Sequence, residues 1–97
     1  MTTPRASIVI PCHNALDYTR ACVESIERHT SEPHEIVLVD NGSADGTPEW
    51  FAERGEGALV RNPTNLGFAA AVNQGIAAAA AATVVLLNND ALATPGW

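Results

Sequence analysis

The chain contains no lysine. Its five basic residues are arginines at positions 5, 20, 28, 54 and 61, and against eleven acids they leave a net charge of −6. An acidic chain without a basic cluster is poorly matched to a nucleic-acid backbone or an anionic membrane surface, so nucleic acid is excluded as a partner class. A bound phosphate would have to be met by backbone N–H groups, a helix N-terminus or a metal ion. Cysteine is equally scarce. Cys12 and Cys22 alone make neither a disulfide framework nor a zinc site. Long apolar runs are missing too. Gly75 to Leu87, with its alanine run Ala77–Ala82, is too short and too alanine-rich to span a bilayer. The opening Met-Thr-Thr-Pro-Arg-Ala-Ser leads into only a few apolar residues and does not read as a signal peptide, so the expected setting is the reducing cytoplasm. Neither Gly-x-Gly-x-x-Gly nor Gly-x-x-x-x-Gly-Lys-Ser/Thr occurs, which removes the common dinucleotide and P-loop devices.

What is present fits one small domain with a single core: 97 residues, 46% hydrophobic and only 16% charged, too apolar for a disordered chain. Short apolar runs alternate with helical segments. Ser7 to Pro11 reads as a first strand. Asp17 to His29 reads as a helix with Tyr18, Cys22 and Ile26 on one stripe, Val23 beside them, and Glu24–Arg28 as an i,i+4 pair. Glu35 to Asp40 is a continuous apolar run closed by a carboxylate, the pattern of a parallel strand covered on both faces. Thr47-Pro48 reads as N-cap and first residue of a short helix reaching about Arg54, packed by Trp50 and Phe51. Ala58 to Arg61 is a third strand, followed by a loop over 62–65. Phe68 to Ala82 is a long helix with Phe68, Val72 and Ile76 on one stripe, and Thr83 to Leu87 a fourth strand.

The order β-α-β-α-β-α-β predicts an α/β fold, an open three-layer α/β/α sandwich around a mainly parallel sheet. Ligands of such sheets bind beyond the carboxyl ends of the strands. Polar residues gather at those ends: Cys12-His13-Asn14 after the first strand, Asp40-Asn41 after the second, Asn88-Asn89-Asp90 after the fourth. Asp90 is the candidate metal ligand, with Asn88 beside it, because Mg²⁺ or Mn²⁺ takes one or two carboxylates and fills its other positions with water and phosphate oxygens. Asn-Asn-Asp is equally a polar turn that stops a strand, and Asp40 equally an acid that caps its own turn. Adjacent residues of an extended segment point to opposite faces, so Cys12 and His13 are not a thiol–imidazole pair; Cys12 reads as packing and His13 as a flat ring available to a nucleobase. Asn73 and Gln74 interrupt an apolar helix and read as solvent-facing.

Four segments in order, Ser7-Ile-Val-Ile-Pro-Cys-His-Asn14, Ile36-Val-Leu-Val-Asp-Asn-Gly-Ser-Ala-Asp-Gly-Thr47, Asn65-Leu-Gly-Phe-Ala-Ala-Ala-Val-Asn-Gln-Gly-Ile76 and Val85-Leu-Leu-Asn-Asn-Asp90, cover nearly the whole chain and together resemble the N-terminal, donor-binding half of a family 2 glycosyltransferase of the GT-A type. The ending Leu-Asn-Asn-Asp and the Asn-x-Gly-Phe-Ala-Ala run are similar to a rhamnosyltransferase-like subgroup of cell-surface polysaccharide synthesis. The resemblance implies the nucleotide-diphospho-sugar transferase fold, its N-terminal half over residues 1–97. It also implies an inverting transfer from a dTDP- or UDP-linked sugar to a saccharide or other hydroxyl acceptor, with a divalent metal, Mg or Mn. By residue, it implies that Pro11, Cys12, His13 and Asn14 line the nucleotide pocket, with His13 against the base. Asp40 and Asn41 read base and ribose, Asn65, Gly67 and Asn73 border the donor, Asn89 contacts the substrate, and Asp90 with Asn88 holds the metal. Two positions depart from the family pattern. Asn41 stands where uridine-using relatives often carry a second Asp, and Asn88 replaces the first acid of the metal motif. Inverting transfer needs a general base, and the resemblance assigns it to sequence beyond Trp97. An apolar fourth strand without an outer neighbour is an association hazard, so self-association through that edge is expected. With one metal carboxylate instead of two, a non-catalytic α/β nucleotide-binding or interaction module is the alternative reading. The expected location is the cytoplasm, at the inner face of the membrane for a longer parent protein.

Overall fold

Seven elements alternate along the computed structural model, which describes residues 4–97; the opening Met-Thr-Thr of the leader reading lies outside the described residues. They are β1 (Ala6–Cys12), α1 (Leu16–His29), β2 (His34–Asn41), α2 (Thr47–Glu53), β3 (Ala58–Asn62), α3 (Phe68–Ala78) and β4 (Thr83–Leu86). All strand pairs are parallel and their spatial order is β3-β2-β1-β4. The order runs outward from β1 through β2 to β3, then returns to the far side of β1. Right-handed crossovers therefore put α1 and α2 on one face and α3 on the other. The packing follows this split. Ile8, Ile10, Ile36 and Leu38 meet Cys22, Val23, Ile26 and Phe51 on the α1/α2 face, whereas Val9, Val37 and Val39 meet Ala71 of α3 on the opposite face. Both sides of β1 and β2 are thus covered, which is why their apolar runs are continuous. Each fully buried branched side chain in these layers contributes about 1.5–3 kcal/mol of transfer free energy.

Several elements differ from the sequence reading. Tyr18 is 64% exposed, and α1 instead turns Thr19, Cys22, Val23, Ser25 and Ile26 inward. Ser25 is tolerated there because its hydroxyl donates to Cys22 O at 2.7 Å and accepts from Ala93 N at 2.8 Å. Glu24–Arg28 is not among the ion pairs of the described residues; the neighbouring Glu27 is held by Arg54 at 2.6 Å. Gly46, not Thr47, occupies the N-cap of α2, and the Thr47 hydroxyl donates to Asp45. Phe51 is buried and meets Trp50 edge-on, with ring centroids 6.1 Å apart, as the helix packing predicts.

The largest departures concern α3 and β4. Helix α3 stops at Ala78, inside the alanine run. Alanine would continue a helix, but the next amides have partners elsewhere. Ala80 N donates to Glu35 Oε2 at 2.6 Å and Ala81 N to Ser7 Oγ at 3.0 Å, and Ser7 Oγ in turn donates to the same Glu35 oxygen. Nor does α3 pack through Phe68, Val72 and Ile76. Phe68 and Ile76 are 60% and 49% exposed, and the residues against the sheet are Ala71 and Gly75. Strand β4 is an edge strand, so its residues are half-buried or exposed rather than fully covered, and the helical crossover leaves Leu86 46% exposed.

Candidate functional site

Strand order reverses between β1 and β4, and the carboxyl ends of these strands carry the candidate site. The chain leaves β1 through His13 and enters α1 by two successive left-handed residues, Asn14 (φ 57°) and Ala15 (φ 60°). Neither is glycine, so the turn is strained and must be held from outside. The loop after β2 holds it. Asn14 N donates to Ser43 Oγ at 2.7 Å, Ala44 N donates to Asn14 Oδ1 at 2.8 Å, and Leu16 N donates to Asp45 Oδ2 at 2.8 Å. Asp45 thereby caps α1 from another loop, since Ala15 has no capping side chain. Slight desolvation opposes ionisation of Asp45, but hydrogen bonds from the Thr47 hydroxyl and the Leu16 and Thr47 amides outweigh it and lower its pKa below the usual 3.8.

A third loop closes on these two. A Cβ at Gly42 would lie 2.8 Å from the main chain of Thr64, so only glycine lets the 62–67 loop come this near. Asn65 Oδ1 accepts from Gly67 N at 2.8 Å and shapes the turn into α3. The result is a cleft of about 280 Å³ lined by Pro11, Cys12, His13, Asn41, Asn65, Phe68 and Asn89. Strand ends β1, β2 and β4 and the entry to α3 all contribute. Six of these residues are among those expected from the sequence; Phe68 is the addition, misread as core because its helical spacing matches a packing stripe. Larger concavities, including one of about 600 Å³ lined by Glu27, His34, Glu35, Arg54 and Glu56, lie at the opposite, amino-terminal rim of the sheet.

Within the cleft His13 is exposed, and its Nδ1 donates to Asn41 O at 2.6 Å, which fixes the plane of the ring. Cys12, also in the lining, is buried, with its thiol turned to Asp40. Burial, then the charge of Asp40, pushes its thiol pKa up to about 12, and Sγ donates to Asp40 Oδ1 at 3.7 Å. Cys22 is likewise raised to about 11, by burial and then by the Asp90 charge. Both thiols stay protonated and serve as packing.

The remaining expected residues fall into two groups. Asn14, Gly67, Asn88 and Asp90 stand beside the lining residues without lining the cleft themselves; Asn89 is anchored by donating from Nδ2 to Thr19 Oγ1 at 3.1 Å. Asp40 lies behind the lining residues Cys12 and Asn41, and Asn73 lies away from them. Asp40 is 1% exposed, and its carboxylate takes the Cys12 thiol and Ser43 N at 3.1 Å, so it caps its own turn. Asn73 is exposed on α3 outside the cleft lining. The side chain of Asn41 lies at the cleft with its hydrogen-bonding groups engaged by neighbouring segments. Its Oδ1 already accepts from Asn62 Nδ2 at 2.9 Å and Leu66 N at 3.3 Å, and its Nδ2 donates to Gly67 O at 3.1 Å.

Asp90 is exposed and, among the described residues, makes no ion pair. Among the described residues no three His, Cys, Asp or Glu side chains cluster to hold a metal ion. One carboxylate with neighbouring amides is an all-oxygen donor set that suits Mg²⁺ or Mn²⁺ only jointly with a phosphate ligand.

Parallel α/β topology with a polar cleft at the switch point defines an open α/β domain, and comparison with known proteins gives the family. Residues 7–97 match the glycosyl transferase family 2 model, so the chain belongs to that family. EpsH of Bacillus subtilis (strain 168) is 32% identical over 100 residues, covering 100% of this chain and 29% of that protein. The PGL/p-HBAD biosynthesis glycosyltransferase of Mycobacterium bovis (strain BCG / Pasteur 1173P2) is 34% identical over 94 residues, 93% of this chain and 37% of that protein. The chain therefore spans about a third of the length of the curated relatives it matches. Mannosyltransferase PcManGT from Pyrobaculum calidifontis, solved in complex with GDP-Man and Mn²⁺, superposes with a TM-score of 0.79 at 28% identity over 95% of this chain and 29% of that one. The fold is that of GT-A glycosyltransferases.

Proposed function

We propose that this chain is the donor-nucleotide half of a glycosyltransferase that uses a nucleoside-diphosphate sugar, and that the transfer is metal-dependent and inverts the anomeric carbon. The observation that carries this reading is the convergence of Pro11, His13, Asn41, Asn65 and Asn89, from four separate segments of the chain, on one cleft at the switch point of the sheet. Its volume of about 280 Å³ suits a nucleoside rather than a whole nucleotide sugar. The complex of PcManGT with GDP-Man and Mn²⁺ supports the ligand class. In this reading the His13 ring walls the base, and the Asn65 and Asn89 side chains meet ribose hydroxyls or phosphate oxygens. Asp90, with Asn88, would hold Mg²⁺ or Mn²⁺ together with the diphosphate. When bound, the cation supplies the positive charge that stabilises the leaving diphosphate, a role no lysine in this chain can take. The acceptor is a saccharide, the donor is dTDP- or UDP-linked, rhamnosyl transfer in cell-surface polysaccharide synthesis is the preferred reaction, and the general base comes from sequence after Trp97. The setting is the cytoplasm, at the inner membrane face for a longer parent protein; the two buried cysteines are free, as a reducing compartment requires.

Titration calorimetry of the chain with UDP, dTDP and GDP, each with and without Mn²⁺, tests the proposal. The expected result is nucleotide binding that Mn²⁺ strengthens, with the Mn²⁺ increment lost in Asp90→Ala while the thermal midpoint holds. Binding of none of the three favours a non-catalytic interaction module, for which the single carboxylate at the metal motif already argues.

A further inference from the structure

Three side-chain amides form a continuous, mostly buried chain behind the cleft. Strand register places Asn41 beside Asn62 at the carboxyl ends of β2 and β3, and Asn62 is only 6% exposed. Asn62 Nδ2 donates both to Asn41 Oδ1 at 2.9 Å and to Gln74 Oε1 at 2.7 Å, and Gln74 Nε2 returns a bond to Asn62 Oδ1 at 2.9 Å. Asn41 continues the chain to the main chain of the next loop, accepting from Leu66 N and donating to Gly67 O.

The orientation of every amide in this chain is dictated by those two main-chain groups. Leu66 N can only donate, so it must face Asn41 Oδ1; Gly67 O can only accept, so it must face Asn41 Nδ2. With Asn41 fixed, Asn62 must turn its nitrogen toward Asn41, and its two hydrogens are then fully used. Its oxygen is left for Gln74, which fits in only one sense. Flipping any member sets oxygen against oxygen or nitrogen against nitrogen, and between Asn41 and Asn62, 5% and 6% exposed, the mismatch is buried. The segment that this chain grips, residues 66 and 67, lies between Asn65 and Phe68, both lining the cleft. The same Asn41 residue offers its main-chain oxygen to His13 on the other wall.

We propose that Asn62 and Gln74, which do not line the cleft, are positioning residues for it: through the Asn41 amide they set the 65–68 wall at the distance from His13 that admits a nucleoside. This rests on the donor reading above for the identity of the ligand, but not for the positioning itself. It also gives position 41 a reason to be Asn rather than Asp, since a carboxylate would face Gly67 O with no hydrogen to give.

The test compares wild type, Asn62→Leu, Gln74→Met and the double variant Asn62→Leu/Gln74→Met. Binding of UDP, dTDP and GDP is read by calorimetry, and the amide exchange of Leu66 by NMR against core amides of β1 and β2. Removing both amides of the reciprocal pair leaves no half-satisfied partner between them, so the double variant recovers much of the thermal midpoint that the single variants lose. It still leaves Asn41 Oδ1 short of a donor. Expected are selective loss of Leu66 protection and about tenfold weaker nucleotide binding in Asn62→Leu and in the double variant. A double variant that regains wild-type binding along with its stability overturns the proposal, as does unchanged Leu66 exchange in Asn62→Leu. If wild type binds none of the nucleotides, the donor reading fails, and the exchange of Leu66 alone decides the positioning role.

Discussion

Replacing Gly75 by alanine sets two effects of opposite sign against each other. Alanine is favoured over glycine in a helix interior by about 1 kcal/mol. Against that, the added Cβ would stand 2.2 Å from Val9 Cγ1, 3.2 Å from Val39 Cγ2 and 3.3 Å from Val9 Cβ. Carbon atoms pack best at about 3.5–4.0 Å, so the first contact is short by more than an ångström. Neither neighbour can retreat. Val9 and Val39 are wholly buried, β-branched, and carried by the two central strands, each paired on both sides. Relief requires α3 to lift from the sheet or Val9 to leave its rotamer. Overpacking of this kind costs about 1–3 kcal/mol, and a clash with stem atoms belongs at the top of that range. The net effect is a destabilisation of about 2 kcal/mol, a fall of roughly 8–16 °C in the thermal midpoint of a domain this size. Scanning calorimetry of wild type and Gly75→Ala measures it, and Val9→Ala in the Gly75→Ala background should recover part of the loss by removing the clashing methyl. A midpoint for Gly75→Ala equal to or above wild type would refute the close approach of α3 to the sheet.

Two further outcomes follow from the site. Ala15 adopts a left-handed conformation at φ 60°, so Ala15→Gly should stabilise the chain by roughly 0.5–1 kcal/mol, read as a rise in the chemical-denaturation midpoint; a fall would mean that the turn is not strained. The thiols of Cys12 and Cys22 are raised from 9.0 to about 12 and about 11. Their folded forms hold a proton that the unfolded chain releases near pH 9, so this contribution to stability is complete below pH 9 and is lost as pH rises toward 11–12. The thermal midpoint should decline above pH 9, and the Cys12→Ala/Cys22→Ala variant should flatten that decline; an unchanged slope would count against burial of the thiols.

The parts of the fold legible in the sequence were those where one signal dominates. The run Ile36–Val39 is apolar at every position, and only a strand covered on both faces asks for that. The alternation of such runs with helical segments then gave the topology, and topology alone gathered His13, Asn41 and Asn89 at one end of the sheet. Helix α3 was misread where two rules conflict. Size and spacing pointed to Phe68, Val72 and Ile76 as the packing stripe, but what decides a close helix–sheet contact is smallness, and Ala71 and Gly75 carry no such signal in isolation. Its end was misread because alanine propensity is local, whereas the groups that intercept the Ala80 and Ala81 amides, Glu35 and Ser7, come from distant strands. At the site, Asp40 shows the limit of a strand-end carboxylate as a marker: the same position serves a turn as well as a ligand, and the burial that distinguishes them depends on Cys12 in the adjacent strand. In the sequence Asn62 reads as a loop residue and Gln74 as solvent-facing, because their pairing joins the end of β3 to α3.

Because α3 rides low on its two small residues, its height over the sheet is not adjustable. Any larger residue at position 71 or 75 raises the whole rod, and with it the segment that forms one wall of the cleft. On that wall the side chains that can be exchanged without disturbing the foundation beneath them are the exposed Leu66 and Phe68.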